Sequence, residues 1–235
     1  ALFALMAAFP TLQACAGAAD SAEPEPNVEP DATPDAGVEV LSVDDLLDRI
    51  RALAEAQTSA DWNEDTYVDD VAALLAALDV EDPAIVDAYA NYVDQYANFP
   101  EIKEFHHEDL FEVSTLEFAA GETIELHDHP DMTGVILCLS GEIRIQNYNL
   151  LDETTADGKL ILRRTDDIVL RAGDITSLTS SRGNIHALQA GPFTQLFDVF
   201  TPPYNTDRIN RSRWFMLDGE VLDGIPSAAA LGSIP

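Results

Sequence analysis

Two hydrophobic periodicities divide the chain. Between residues 41 and 100, apolar residues recur every three or four positions, as in "SVDDLLDRIRALAEAQ", which is typical of amphipathic helices. Ser42 and Asp45 have the spacing of a capping box, and Asp82 before Pro83 is a favourable helix start. We therefore predict an α-helical region over 41–100 that packs against the domain following it.

Beyond Phe111 the pattern changes to short runs that are apolar or alternating, separated by turns rich in Gly and Asp. The runs are "LFEVSTLEF", "ETIEL", "GVILCL", "EIRIQNYNL", "LILRR", "IVLRAG", "ITSLTS", "IHALQA" and "TQLFDVF". Many short strands at close spacing favour a sandwich or a small barrel. We predict a mainly β domain over 101–235.

The first 40 residues have a different composition. Residues 1–15, "ALFALMAAFPTLQAC", are apolar and uncharged, too short to span a bilayer but suited to the core of a signal peptide. They end on a stretch that resembles a bacterial lipobox, in which Cys15 would be lipidated. Residues 16–40 combine Pro, Ala and acidic residues, typical of a disordered tether. We predict an exported, membrane-anchored lipoprotein in the periplasm or on the cell surface; the alternative is an apolar helix with a chance cysteine.

Charge and cysteine content narrow the function further. The chain has 43 acidic and 12 basic residues, a formal net charge of -31, which disfavours binding to nucleic acid. Its 46% hydrophobic content is enough for a core. Cys15 and Cys138 make no disulfide framework. Cys138 lies in "GVILCLSG", where it is expected to be a small buried hydrophobe.

The candidate chemistry is concentrated in "GETIELHDHPDMTGVILCLSG", residues 121–141. His127 and His129 are two positions apart, so on a strand both side chains point to one face and can converge on one metal ion. The stretch, G-x5-H-x-H-x4-G-x6-G, resembles the first motif of the cupin family of jelly-roll, or double-stranded β-helix, barrels. That family usually has a ligand Glu near the position of Gly134, so its absence indicates an all-histidine site.

A third ligand must come from the remaining histidines. His106 and His107 lie in the charged segment "EIKEFHHEDLF" and are expected to be exposed loop residues. His186 lies in "SSRGNIHALQAG", which resembles the second cupin motif imperfectly. A lone histidine on an apolar strand is more often a core residue. Together with His127 and His129, His186 becomes the candidate third ligand.

Three blocks, "LHDHPDMTG", "SSRGNIH" and "FDVFTPPYN", closely resemble the cysteamine dioxygenase and plant cysteine oxidase family of thiol dioxygenases. The resemblance covers about residues 111–214 and implies a cupin barrel preceded by a helical region. It also implies residue roles: His127, His129 and His186 as ligands of one Fe(II), with Asp198 and Tyr204 close to the metal. Three positions depart from the family: Asp131 replaces a usual Gly, and Ser212 and Trp214 replace a Cys-x-Tyr pair.

The resemblance implies an iron-dependent dioxygenase that uses O2 and a cysteamine-like aminothiol or a peptide with N-terminal cysteine, and that is a monomer. Three neutral imidazoles leave the full charge of Fe(II) and an open face, which favours a thiolate ligand. Adding both oxygen atoms gives a sulfinic acid. Asp198 could hold the substrate ammonium, or be an ordinary strand-edge carboxylate. Tyr204 could hydrogen-bond oxygen or sulfur, or only pack beside two prolines.

Two other functions stay open at this stage. A non-catalytic cupin that binds metal or a small ligand at the cell surface is favoured by location, because Fe(II) and reduced thiols are hard to maintain outside the cytoplasm. A cupin oxygenase or isomerase acting on a non-thiol substrate is a third option, which the loss of the ligand Glu at Gly134 disfavours.

Overall fold

The computed structural model describes residues 39–90, 99–154, 160–222 and 225–233. The predicted leader, Cys15 and nearly all of the predicted tether lie outside these ranges, so they remain predictions, as do the domain boundaries. Within the described part of the chain, no helix has the length and apolar character needed to cross a membrane.

Three helices and a 3-10 turn precede the strands: α1 Val43–Ala54, the turn Glu55–Thr58, α2 Glu64–Ala76 and α3 Pro83–Tyr89. Each helix begins at a side-chain cap, in which the oxygen of Ser42, Asn63 or Asp82 accepts a hydrogen bond from a backbone N–H of the first turn. Asp82 also accepts from the N–H of Val43, at 3.0 Å, and so ties the start of α3 to the start of α1.

Eleven strands and one further helix complete the described chain. They are β1 Glu101–His107, β2 Glu112–Phe118, β3 Thr123–Asp128, β4 Thr133–Ser140, β5 Glu142–Thr154, β6 Leu160–Arg171, β7 Ile175–Leu178, β8 Ile185–Ala190, β9 Thr194–Thr201, α4 Thr206–Arg211, β10 Arg213–Leu222 and β11 Ile225–Ser233. One antiparallel sheet has the order β1-β2-β9-β4-β7, and the other runs β10-β11-β6-β5-β8-β3 and closes through pairing of β10 with β3. The mainly β cupin fold with short preceding helices is confirmed.

Two apolar clusters hold these layers together. Between the sheets, Phe118, Ile136 and Cys138 meet Ile143 and Ile145, all at most 3% exposed, and Cys138 is buried as predicted. On the outer face of the five-stranded sheet, the apolar stripes of α1 and α2 cover β-strand residues; this second cluster includes Leu46, Ile50, Val68, Val71, Leu75, Val135, Leu137, Phe197 and Val199. The helices therefore bury the outside of one sheet and leave the space between the sheets to the site.

The prediction that His106 and His107 lie in a loop was wrong, because both lie on β1, although His107 is exposed as predicted and His106 is half-buried. β1 pairs antiparallel with β2, with His107 opposite Glu112, and Phe105 packs its ring edge-on against Phe197. The strand was not predicted because its many charged residues leave little apolar alternation. The sequence also did not predict α4, β10 and β11. The two runs "LILRR" and "IVLRAG" belong to a single strand, β6, in which exposed polar residues join them.

Gly141 is a strong test of the barrel because it combines two constraints. Its φ is +80°, and an added Cβ would clash with the carbonyl oxygen of Phe193 and lie 2.8 Å from Cα of Thr194. Gly121 has a similar φ of +83° but open space around it. We expect Gly121→Ala to lower the free energy of unfolding by about 1–2 kcal/mol, from the left-handed backbone alone. Gly141→Ala should cost about 1–3 kcal/mol more, from overpacking. If urea denaturation showed the same decrease in the free energy of unfolding for both variants, the close packing around Gly141 would be contradicted.

Candidate metal centre

The structure brings the three predicted histidines together. His127 lies on β3, His129 directly follows that strand, and His186 lies on β8, where it is the antiparallel partner of His127. One ring nitrogen of each lies within 4.8 Å of the others, and Nε2 of His129 is 2.9 Å from Nε2 of His186. Nδ1 of His127 donates to the carbonyl of Glu125 at 2.8 Å, which leaves its Nε2 free for a metal.

Burial makes the three histidines suitable ligands. Removal from water lowers the pKa of His127, and it lowers the pKa values of His129 and His186 well below the usual range, with further contributions from the neighbouring imidazoles. The rings are therefore neutral near pH 7, the form that binds metal. Three imidazole nitrogens on one side of a cavity fit a mononuclear first-row transition metal.

Asn184 fixes the backbone that carries His129. Its amide oxygen accepts from the N–H of His129 at 3.0 Å, and its amide nitrogen donates to the carbonyls of His129 at 2.9 Å and Thr179 at 3.1 Å. One side chain thus holds the loop after β3 in place beside β8. No role for Asn184 could be predicted from the sequence, where its place two residues before His186 was the available signal.

The positions that depart from the family have structural explanations. Asp131 has a φ of +58°, the left-handed conformation that Gly adopts readily and Asp tolerates, and its carboxylate lies 2.7 Å from the guanidinium of Arg211 on α4. The Trp214 ring lies 5.0 Å from the His127 ring, and the two residues are paired between β10 and β3. The Ser212 hydroxyl donates to the carbonyl of Arg208 at the end of α4.

Gly134 explains why no carboxylate ligand is present at this position. It lies on β4, and an added Cβ would be 3.1 Å from the Phe200 ring and 3.3 Å from Leu178. A Glu side chain would have no room without displacement of both neighbours. The described site therefore offers three histidines and no carboxylate from β4.

An ion pair between Asp128 and Arg213 holds the end of β3 against the start of β10. Asp128, 3% exposed between the two ligand histidines, accepts from the backbone N–H of Arg213 at 2.6 Å and from its Nε at 2.8 Å. Bidentate contacts of this kind are geometrically specific. The contact holds the start of β10, and hence Trp214, against His127.

A cavity of about 200 Å³ opens beside the histidines, between the two sheets. Its remaining lining residues are Ile102, Glu112, Ser114, Leu116, Ile124, Leu188, Asp198, Phe200 and Tyr204. The structure therefore places both predicted auxiliary residues, Asp198 and Tyr204, at the cavity. The Tyr204 hydroxyl is hydrogen-bonded to Nδ1 of His129, and burial raises its pKa well above the usual range, with the negative charge of Asp198 adding to the shift.

Two carboxylates lie in this cavity. Asp198, on β9, is 3% exposed, and its Oδ1 has no hydrogen-bond partner among the described residues. Burial raises the pKa of Asp198 well above its usual range, and the charge of Glu112 raises it further. Glu112 was missed by the sequence analysis, because nothing in "LFEVSTLEF" distinguishes it from an ordinary strand residue. Burial also raises the pKa of Glu112.

The fold and the site define a cupin with a three-histidine centre. The profile of the PCO_ADO family matches residues 74–220, more than half of the chain, and the protein therefore belongs to that family. The chain is 29% identical over 161 residues to 2-aminoethanethiol dioxygenase of Homo sapiens, covering 57% of this chain and 59% of that protein. It is 24% identical over 125 residues to the probable 2-aminoethanethiol dioxygenase of Dictyostelium discoideum, covering 50% and 57%.

The chain thus matches less than two thirds of the length of either relative. Among solved structures, a conserved double-stranded β-helix protein from Klebsiella pneumoniae has a TM-score of 0.37 and 19% identity, covering 50% of this chain and 86% of that one. An RmlC-like cupin from Desulfovibrio desulfuricans has a TM-score of 0.35 and 17% identity, covering 48% and 95%.

We expect the three histidines to bind a divalent metal as one unit. Adding Co²⁺ or, without oxygen, Fe²⁺ should raise the melting temperature of the purified protein, because an ion that binds only the folded state stabilises it. His127→Ala, His129→Ala and His186→Ala should each abolish the shift. His106→Ala, on β1, is the matched control and should retain it, with circular dichroism confirming the fold of each variant. Normal metal binding by His186→Ala would contradict the site.

Proposed function

We propose that this protein is an iron(II)-dependent thiol dioxygenase that adds both atoms of O2 to the thiol of a cysteamine-like aminothiol or N-terminal cysteine, giving a sulfinic acid. One observation carries the proposal: three buried neutral imidazoles converge beside a cavity of about 200 Å³ in a member of the PCO_ADO family. Both relatives bear the name 2-aminoethanethiol dioxygenase, which supports a thiol with a nearby amine as substrate. The proposed enzyme is a monomer with one ion per chain.

The ligand set suits this chemistry. Fe(II) bound there would lower the pKa of a coordinated thiol and bring O2 close to the sulfur. Because the three imidazoles are neutral, they contribute no negative charge, and an anionic sulfur is the favoured fourth partner. Leu116, Ile124 and Leu188 give the cavity apolar walls, which lower the local dielectric constant and strengthen electrostatic interactions beside them.

Tyr204 and Glu125 fix the protons of the ligand rings. With a metal bound at Nε2 of His129, the ring proton would lie on Nδ1 and would be donated to the Tyr204 hydroxyl oxygen, which is the hydrogen-bond partner of Nδ1. The carbonyl of Glu125 holds the corresponding proton of His127. Such outer hydrogen bonds set the tautomer and orientation of metal-binding histidines. In this proposal Tyr204 is a positioning residue for His129.

Asp198 supplies the polar partner for the substrate amine. Its carboxylate is buried, lines the cavity and leaves Oδ1 without a partner among the described residues. An ammonium group would satisfy that oxygen with a charge-assisted hydrogen bond. None of the described lining residues is Lys or Arg, so a substrate carboxylate, as in free cysteine, would lack a cationic partner.

The activity is tested by oxygen uptake. Purified protein loaded with Fe(II) should consume O2 when given cysteamine or a peptide with N-terminal cysteine, and mass spectrometry should find a product heavier by two oxygen atoms. His186→Ala should lower the rate to that of Fe(II) alone, while His106→Ala retains it. The absence of turnover with every thiol of a panel, together with tightly held Zn²⁺, would instead support a non-catalytic metal-binding cupin.

We also propose that the protein is exported and anchored to a bacterial membrane through lipidated Cys15. The apolar segment, the lipobox-like end and the acidic tether-like composition support this proposal. Several acyl chains hold a protein firmly, whereas a protein without them has no comparable membrane affinity. Cys15→Ser expressed in a bacterium should move from the membrane fraction to the soluble fraction. Membrane retention of this variant, compared with a Ser21→Ala control, would remove the lipoprotein proposal.

A further inference from the structure

The cavity beside the histidines is lined by two carboxyl groups, one more than a single amine-binding carboxylate would need. Asp198 and Glu112 both line it, and they are 3% and 7% exposed. They come from neighbouring strands, since β2 pairs with β9 and Ser114 lies opposite Asp198. Two buried carboxylates close to one another are unfavourable unless positive charge joins them.

Glu112 lies between the cavity and the surface. Its Oε2 accepts from the backbone N–H of Tyr204 at 2.9 Å and lies 3.3 Å from Nδ1 of His107. The His107 side chain is 41% exposed and is also 3.7 Å from the carboxylate of Glu104, which lies on the outside of β1. Glu112 therefore contacts the exposed His107 and the backbone N–H of Tyr204 through one oxygen, and its side chain also lines the cavity.

The charges in the cavity favour one type of thiol. This step rests on the proposed function: a divalent metal held by three neutral histidines has charge +2, which favours the ionised forms of Asp198 and Glu112 and is balanced by them. A bound thiolate adds one negative charge, so the buried site becomes neutral only if the substrate also brings a positive charge. A neutral thiol leaves the site at -1, and a thiol with a carboxylate leaves it at -2, both of which are costly in a cavity of low dielectric constant.

We propose that Glu112 is a specificity-determining residue that forms, with Asp198, a two-carboxylate subsite for the substrate ammonium. Through Glu112 the enzyme selects cationic aminothiols over neutral and anionic thiols of similar size. If the role of Glu112 were purely structural, it would be to accept the hydrogen bond from the backbone N–H of Tyr204. Glutamine retains that acceptor and removes only the charge, so Glu112→Gln separates the two roles.

The test compares three small thiols: cysteamine (cationic), 2-mercaptoethanol (neutral) and 3-mercaptopropionate (anionic). In Glu112→Gln, kcat/KM for cysteamine should fall about tenfold, the size of one charge-assisted contact. The values for 2-mercaptoethanol and 3-mercaptopropionate should both rise, because with one carboxylate fewer the site that holds a 2-mercaptoethanol thiolate becomes neutral and the site that holds 3-mercaptopropionate falls from -2 to -1. Glu104→Gln removes an equal charge from the exposed face of β1 and should behave as wild type. Glu112→Asp, which keeps the charge, should keep the preference for cysteamine.

A binding measurement separates failure of this inference from failure of the proposed function. The full chain loaded with Co²⁺ is titrated with the same thiols without oxygen, and the sulfur-to-cobalt absorption band reports binding. Tighter binding of cysteamine that depends on Glu112 supports the subsite even if no thiol is oxidised. Oxidation of thiols with the same relative preferences in Glu112→Gln and wild type would overturn the subsite and leave the proposed function standing.

Discussion

The antiparallel pairing of β3 with β8 is the interaction on which the site depends. It sets His127 opposite His186, so that both side chains stand on the same face of the sheet, and His129 follows at the end of β3. A slip of one residue would turn one imidazole to the other face and disperse the three nitrogens. Asn184, which bonds both backbone groups of His129, fixes the register at the point where regular pairing ends.

The site divides its chemistry between the two sheets. The histidines come from β3 and β8 of one sheet, whereas Glu112 and Asp198 come from β2 and β9 of the other. Metal ligands and carboxylates therefore face each other across the cavity. The apolar cluster between the sheets provides a rigid scaffold for both sets, and the helices cover the outside of the carboxylate-bearing sheet.

The sequence was sufficient to predict the features that are local in the chain. His127 and His129 could be recognised from their spacing, and His186 from the block that contains it. Each of the nine apolar runs overlaps one of the strands β2 to β9. Resemblance to a family, and not spacing, pointed to Asp198 and Tyr204.

Features that depend on long-range pairing could not be predicted. Glu112 becomes part of the cavity only because β2 pairs with β9, some 80 residues later in the chain. His106 was wrongly predicted to lie in a loop because the charged strand β1 has little apolar alternation. Its strand conformation depends on hydrogen bonds to β2, with which it pairs. The buried contact between Asp128 and Arg213 likewise joins residues far apart in the sequence.

X-ray absorption spectroscopy of the iron-loaded protein tests the central claim most directly, because it reports which atoms surround the ion. The account predicts scattering from imidazole rings in the ferrous protein and a sulfur neighbour once cysteamine is added without oxygen. An iron environment of oxygen atoms alone, or one that gains no sulfur with any aminothiol, would contradict it.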